Sequence, residues 1–207
     1  MANGVVIVDY GMGNIWSVFS ALRYLGVEPT VSGDHKVVKS ANTLVLPGVG
    51  SFRKAMETLK VKGLADALGE AVLIKRRKIL GICLGMQLFA DRSSEDGLCD
   101  GLGFFGGAVE RFAPKEVGGL KVPHVGFNVV IPPAQSGLFK GVSSAADFYF
   151  VHSYRLLPSG LSGYETLCRY GVEFLAAYEQ ENIYATQFHP EKSQTNGLRL
   201  LANFIKE

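Results

Sequence analysis

The alternation of strand-like and helical segments in the first half of the chain constrains its fold more than any other feature. Four short stretches are apolar or β-branched and end in turn residues, which predicts buried strands: VVIVDY, EPTVS, TLVLPG and KILGIC. Between the first two, NIWSVFSALRYLG has helical periodicity, with Asn14 expected to cap the helix and Gly26 to end it. This alternation predicts a mostly parallel central sheet flanked by helices, an α/β fold.

The second half of the chain predicts additional antiparallel strands. Five stretches are rich in aromatic and β-branched residues: FFGGAVERF, VPHVGFNVVI, FYFVHSYRLL, FLAAYEQ and IYATQF. The last two are expected to form a hairpin around Glu181 and Asn182, and NGLRLLANFIKE is expected to close the chain as an amphipathic helix. We find no linker or internal repeat, so residues 1–207 are expected to form one domain.

Composition excludes several classes of protein. The hydrophobic content of 47% and charged content of 19% are those of a globular chain, and a net charge of +2 gives no general reason to expect a nucleic-acid partner. The basic run KRRK, residues 75–78, lies where it would complement the end of a helix. No apolar stretch could span a bilayer, and Asp9 interrupts the N-terminal apolar run, which argues against a signal peptide.

The cysteines point to chemistry other than cross-linking. An odd number of widely spaced cysteines (Cys83, Cys99 and Cys168) argues against a disulfide framework and a zinc site. No phosphate-binding loop, dinucleotide fingerprint or metal-ligand cluster is found, so no cofactor and no metal are expected. We therefore expect a cytoplasmic protein with neither a membrane nor a nucleic acid as partner.

Cys83 stands where a predicted strand meets a predicted helix, in KILGICLGMQLF. Gly81 and Gly85 flank it at the spacing of a nucleophile on a sharp strand-to-helix turn, and the start of a helix favours a thiolate. The alternative is a small buried side chain that only packs.

A base and its orienting group are predicted in QFHPEKS, after the last strand. His189 and Glu191 are two residues apart, which places both side chains on one side of an extended chain. His189 would then take the proton of Cys83 while Glu191 fixes the imidazole. His35 lies in a polar loop, and His124 and His152 lie in strand-like runs where packing or hydrogen bonding is expected.

An acyl-transfer thiolate also needs donors for the developing oxyanion. The N–H of Leu84 follows the nucleophile directly, and the N–H of Val49 is a second candidate. Gly48 and Gly50 would let the Val49 peptide turn inward or outward at little steric cost. The alternative is an ordinary turn after a strand.

These motifs resemble a known family. GICLGMQ, LPGVGSF and ATQFHPEKS are similar to the triad-type (class I) glutamine amidotransferases, whose fold is flavodoxin-like. DYGMGN, VPHVGFN and YFVHSYR narrow the resemblance to the glutaminase subunit of imidazole glycerol phosphate synthase, in histidine biosynthesis. The similarity extends from Asp9 to the final helix, with the motifs in the family's order.

The resemblance implies that Cys83 attacks the side-chain amide of glutamine, giving a glutamyl thioester and ammonia, with His189 as base and then acid and Glu191 orienting it. The residues implied to hold the glutamine are Gly48, Gly50, Gln87, Ser153 and Tyr154. Ammonia would pass to a cyclase subunit with a (β/α)₈ barrel, which makes imidazole glycerol phosphate and an aminoimidazole carboxamide ribotide.

The resemblance also implies a partner interface at Met12, Asn14, Tyr149 and Lys192. Phe127 stands where the family usually has a tryptophan, so packing against the partner is expected to differ there. The family's glutaminase is nearly silent until the cyclase binds its ligand, and the run Gly48 to Gly50 is the candidate switch.

Three alternatives remain at this stage. The chain could serve another channelled partner, such as that of pyridoxal phosphate or purine biosynthesis. It could be an independent cysteine hydrolase, which would be active alone, or a binding module without catalysis. The motifs DYGMGN and YFVHSY argue against another channelled partner. The intact Cys83, His189 and Glu191 argue against a binding module without catalysis.

Overall fold

A nine-stranded mixed sheet forms the centre of the protein in the computed structural model, which describes residues 4–133, 137–157 and 161–206. The strands are β1 (Val5–Val8), β2 (Thr30–Ser32), β3 (Thr43–Gly48), β4 (Lys78–Cys83), β5 (Arg92–Ser93), β6 (Cys99–Asp100), β7 (Ala108–Arg111), β8 (His124–Ile131), β9 (Ala146–His152), β10 (Tyr154–Leu156), β11 (Tyr164–Tyr170), β12 (Val172–Gln180) and β13 (Ile183–Thr186). The nine-stranded sheet has the order β2-β1-β3-β4-β13-β12-β11-β8-β9, and a smaller sheet has the order β10-β7-β5-β6.

Helices cover the nine-stranded sheet. They are α1 (Ile15–Tyr24), α2 (His35–Ser40), α3 (Phe52–Val61), α4 (Leu64–Gly69), α5 (Leu84–Leu88) and α6 (Gln194–Lys206). A π-helical turn over Glu70–Ile74 continues α4, and a 3₁₀ turn over Pro190–Lys192 precedes α6. Gly26 follows α1 with a φ of 80°, as expected of a residue that ends a helix.

The strand pairing confirms the predicted mixed architecture. β2, β1, β3, β4 and β13 pair in parallel, and β12, β11, β8 and β9 extend the sheet with antiparallel pairs. The carboxyl ends of β3 and β4 are in register, with Gly48 opposite Cys83. Because β13 lies on the other side of β4, the segment that follows β13 reaches the same edge of the sheet.

Alternate residues of the parallel strands enter two hydrophobic layers. Val6 and Val8 of β1 pack in the layer that contains α3, α4 and α5, whereas Val5 and Ile7 pack with α1 and α6 on the opposite face. This burial on both faces explains why the strands are continuously apolar in the sequence.

Three details of the structure differ from the sequence predictions. The predicted strand FYFVHSYRLL is two strands, because the chain leaves the nine-stranded sheet at Ser153 and enters the smaller sheet as β10. β11 was not predicted as a strand, nor were the short strands β5 and β6. Asn14 occupies the cap position of α1, but its side-chain oxygen accepts from the Ser17 hydroxyl at 2.9 Å and not from a backbone N–H.

The basic run has the structural role expected at a helix end. Lys75 pairs with Glu70 at 3.2 Å, Arg76 pairs with Glu181, and Lys78 Nζ donates to the Phe204 carbonyl near the end of α6 at 2.7 Å. The ammonium of Lys78 thus satisfies a carbonyl that α6 leaves without a backbone donor.

Candidate active site

Cys83 lies on a sharp turn between β4 and α5. Its φ of 55° and ψ of −109° are unusual for a residue with a side chain, and its side chain is buried. A Cβ at Gly85 would collide with the Leu46 carbonyl oxygen, and one at Gly81 would lie 2.7 Å from the Phe89 ring. The glycines therefore allow the close backbone approach on which this strained turn depends.

His189 and Glu191 form a buried pair behind Cys83. His189 Nδ1 and Glu191 Oε1 are 2.8 Å apart, and the two side chains are 2% and 1% exposed. Sequence reasoning expected an extended chain to bring them together, whereas the 3₁₀ turn over Pro190–Lys192 does so. The turn is held by Ser193, whose hydroxyl donates to the His189 carbonyl at 2.6 Å.

The electrostatics of this pair favour a charged imidazole. Burial alone would lower the pKa of His189, but the interactions of the imidazole with Cys83 and with the Glu191 carboxylate outweigh burial and raise that pKa to about 10. Because Nδ1 is committed to Glu191, Nε2 is the nitrogen available to the Cys83 thiol, and among the described residues it makes no hydrogen bond that would occupy it. An imidazolium beside a cysteine favours its thiolate, the form in which a cysteine acts as a nucleophile.

A cavity of about 370 Å³ opens in front of Cys83. Its walls are formed by Val49, Gly50, Cys83, Leu84, Gln87, Glu95, Pro123, Val151, His152, Ser153 and Tyr154. The structure thus brings the sequence-predicted nucleophile, oxyanion donors and most of the predicted substrate-binding residues to one cavity large enough for an amino acid. Sequence reasoning did not assign Glu95, Pro123, Val151 and His152 to the site.

Gly48 is the predicted substrate-binding residue that does not line the cavity. A Cβ there would collide with the Tyr10 hydroxyl and lie 2.9 Å from the Leu84 side chain. Gly48 is therefore required by close packing behind the cavity. The unusual backbone conformation lies at Gly50, whose φ is 100°.

The Leu84 N–H is suited to bind an oxyanion. Leu84 is the first residue of α5, so this N–H has no acceptor within the helix. Val49 follows Gly48, which pairs with Cys83 across β3 and β4, so its N–H lies near that of Leu84 at the same end of the sheet; its side chain is exposed.

Glu95 brings a carboxyl group to the cavity from the segment between β5 and β6. Its Oε2 accepts from the Phe52 N–H, at the start of α3, at 2.8 Å. Burial raises the pKa of Glu95, and the hydrogen bond from Phe52 opposes that shift. No nearby motif marks this residue in the sequence, because only the fold brings α3 beside it.

His124 and His152 form a buried cross-strand pair at the ends of β8 and β9. Their sequence context predicted packing or hydrogen bonding, and they do both: His124 stacks on Phe150 and Tyr170, and His124 Nδ1 lies 3.0 Å from His152 Nε2. Burial lowers the pKa of His124 to about 4 and that of His152 to about 3, so both rings are neutral at pH 7.

This pair predicts a loss of stability in acid. The unfolded rings protonate near pH 6.5 and the folded rings only near pH 3 to 4, so the unfolded state binds more protons within that window. Stability should therefore fall as the pH is lowered below about 6.5, with His152 contributing about 1.4 kcal/mol per pH unit. Urea unfolding at pH 7.0, 6.0 and 5.0 measures this slope. The His152→Asn variant should show a shallower slope, and an unchanged slope would contradict the assignment.

Three residues of the predicted partner interface form one surface cluster. The rings of Phe127 and Tyr149 are 5.5 Å apart, and Lys192 Nζ lies 5.8 Å from the centre of the Tyr149 ring. Met12 lies apart from this cluster, where its terminal methyl approaches Gly50. Asn14 lies with Met12 on the loop after β1.

The described residues form no group of three or more His, Cys, Asp or Glu side chains able to hold a metal ion. None of the helices among those residues is long and apolar enough to cross a membrane.

Comparison with known proteins places this site in a family. Residues 6–207 match the family model described as glutamine amidotransferase class-I. The HisH 1 subunit of imidazole glycerol phosphate synthase from Campylobacter jejuni is 44% identical over 98% of this chain and 99% of its own length. The HisH subunit from Geobacter sulfurreducens is 46% identical, with 97% of each chain covered.

Solved structures share the fold. A glutamine amidotransferase superposes with a TM-score of 0.76 at 19% identity, over 98% of this chain and 97% of its own. PurLQS from Thermotoga maritima superposes with a TM-score of 0.74 at 17% identity, over 100% of this chain and 99% of its own. Given the match to the family model and the near full-length similarity to HisH subunits, the chain belongs to the class-I glutamine amidotransferases, in the group formed by the HisH subunits of imidazole glycerol phosphate synthase.

Proposed function

We propose that this chain hydrolyses glutamine to glutamate and ammonia, as the glutaminase subunit of imidazole glycerol phosphate synthase in histidine biosynthesis. The observation that carries the proposal is Cys83 on its strained turn, with the buried His189–Glu191 pair behind it and an amino-acid-sized cavity in front. We also propose that residues 1–207 act as one domain, since the central sheet takes strands from both halves of the chain, and that the protein is cytoplasmic.

The first half of the reaction forms a thioester. The Cys83 thiolate attacks the side-chain carbonyl carbon of glutamine, and the N–H groups of Leu84 and Val49 receive the oxyanion. The carbon–nitrogen bond breaks as the His189 imidazolium gives its proton to the departing amine, which leaves as ammonia. In the second half, neutral His189 takes a proton from water, the hydroxide attacks the thioester, and glutamate departs as the Cys83 thiolate re-forms.

The cavity walls supply groups for the amino-acid end of glutamine. Glu95 offers a carboxylate to the α-ammonium, and Ser153 and Tyr154 line the same cavity as the Val49–Gly50 segment. The side-chain amide of Gln87 donates to the Tyr154 carbonyl at 2.9 Å. The side-chain oxygen of Gln87 is therefore the atom to which we assign a contact with the substrate.

We propose that a cyclase subunit with a (β/α)₈ barrel receives the ammonia and docks on the Phe127, Tyr149 and Lys192 cluster, with a second contact at Met12 and Asn14 on the loop after β1. A backbone contact supports a link between docking and catalysis, because the His189 N–H donates to the Tyr149 carbonyl at 2.9 Å. A displacement of β9 by the partner would therefore act directly on the base.

The test is glutamate release from glutamine by the chain alone, with a HisH-type cyclase partner, and with that partner plus its nucleotide ligand. Low release alone and strong release in the third condition are expected of a partner-gated glutaminase. Full activity in the chain alone would instead favour an independent cysteine hydrolase. Silence in all three conditions would contradict the proposed activity.

A further inference from the structure

We propose that His124 and His152 are positioning residues for glutamine, which hold the Tyr154 wall of the cavity through a hydrogen-bond chain that starts at Asn128. The inference deepens the proposed function and rests on it, since the cavity must be the glutamine site. Neither histidine was assigned to the reaction by the motifs of the sequence.

The chain of contacts runs from a partly exposed strand into the site. Asn128 Nδ2 lies 3.4 Å from His124 Nε2, His124 Nδ1 lies 3.0 Å from His152 Nε2, and His152 Nδ1 lies 2.8 Å from the Tyr154 carbonyl oxygen. Three consecutive polar contacts thus join β8 to the cavity wall.

The hydrogen-bond partners fix the direction of every donor. A backbone carbonyl only accepts, so His152 Nδ1 must carry the proton that Tyr154 receives. His152 Nε2 is then an acceptor in the neutral ring, and His124 Nδ1 must donate to it. His124 Nε2 in turn accepts from the Asn128 amide. Each ring therefore has one tautomer that satisfies its neighbours, which the network assigns.

The Tyr154 carbonyl also connects this series of hydrogen bonds to the nucleophile. Gln87 Nε2 donates to the same carbonyl and lies 2.8 Å from Gln187 Oε1. Gln187, which is fully buried, directs its Nε2 toward Cys83 Sγ at 3.7 Å. His152 therefore supports one side of a carbonyl whose other donor is connected to the nucleophile.

The rings have little freedom to move away. The His124 ring stacks on the rings of Tyr170 and Phe150, with centroids 3.9 Å and 4.8 Å away. The centroids of the Phe112 and His152 rings are 5.3 Å apart. Because packed rings with satisfied nitrogens resist rotation, the Tyr154 carbonyl has a fixed donor before substrate arrives. Preorganisation of this kind acts on substrate binding more than on the chemical step.

The test separates hydrogen bonding from packing with three variants, assayed with the cyclase partner and its nucleotide ligand. His152→Leu removes both ring nitrogens and should raise KM for glutamine about tenfold, with kcat within about threefold of the unmodified chain. His152→Asn places an amide N–H near the Nδ1 position and should return KM most of the way to its value in the unmodified chain. Phe139→Leu is the packing control: this buried ring packs on Phe148 and Phe188 and on neither imidazole, so the change should leave KM within about twofold.

Direct binding removes the dependence on turnover. In a Cys83→Ala background, calorimetry with glutamine should show the same order of affinities for the His152 variants. If His152→Leu does not fold by circular dichroism, Asn128→Ala removes the first donor at a partly exposed position and should raise KM about threefold.

The outcomes distinguish this inference from the proposed function. An unmodified chain with no glutaminase activity in any condition overturns both. If the unmodified chain is active, equal KM values for His152→Leu and His152→Asn, or an effect of Phe139→Leu as large as that of His152→Leu, overturn the positioning role. A loss confined to kcat overturns it as well.

Discussion

Replacing Cys83 by alanine is expected to reduce glutamate release by at least about 10⁴-fold, to the limit of detection. The expectation follows from the reaction, because no thioester forms without the sulfur, and the described residues place no other thiol in the cavity wall. Glutamine binding should persist, since alanine keeps the turn and leaves the walls intact. Coupled glutamate dehydrogenase assays with the cyclase partner measure the loss, and calorimetry measures the binding.

Cys168 provides the matched control. It is also buried, and burial raises the pKa of its thiol to about 12, so it is held as an unreactive thiol in the sheet. Cys168→Ala should retain activity within about twofold, and alkylation by iodoacetamide at pH 7 should modify Cys83 in preference to Cys168. Residual activity above about 1% in Cys83→Ala would contradict the nucleophile assignment.

The sequence predicts the parallel half of the fold well because its local and tertiary requirements agree. Strands buried on both faces must be continuously apolar, and the turn at Cys83 needs glycines where backbones approach closely, so both leave marks in the sequence. The corner at Ser153 leaves no such mark. Apolar and polar residues continue through β9 and β10, although the two strands belong to different sheets.

The candidate site shows the same division. The spacing of His189 and Glu191 indicates a pair, yet the 3₁₀ turn that joins them could not be distinguished from extended chain by spacing alone. Glu95 comes to the cavity because the Phe52 N–H at the start of α3 holds its carboxylate, a contact between residues 43 positions apart. Such contacts depend on how the helices and the smaller sheet pack, which local patterns do not encode.

The Glu191→Gln variant should retain the cavity and lose most of the turnover. The amide keeps an oxygen that can accept from His189 Nδ1, so the ring stays in place, but the negative charge that stabilises the imidazolium is gone. Because Glu191 helps to raise the pKa of His189 to about 10, that pKa should fall in the variant. We expect kcat to drop by roughly 10²- to 10⁴-fold with KM little changed.

The pH profile distinguishes this electrostatic role from a structural one. Ammonia departure needs His189 protonated, so activity is retained below the His189 pKa and lost as the pH rises through it. The alkaline limb of kcat/KM should therefore move to lower pH in Glu191→Gln. Glu28→Gln, which removes an exposed partner of Arg23, should leave the limb in place. A variant with reduced kcat and an unmoved alkaline limb would mean that Glu191 only supports the turn, and the charge of the buried pair would then have no part in catalysis.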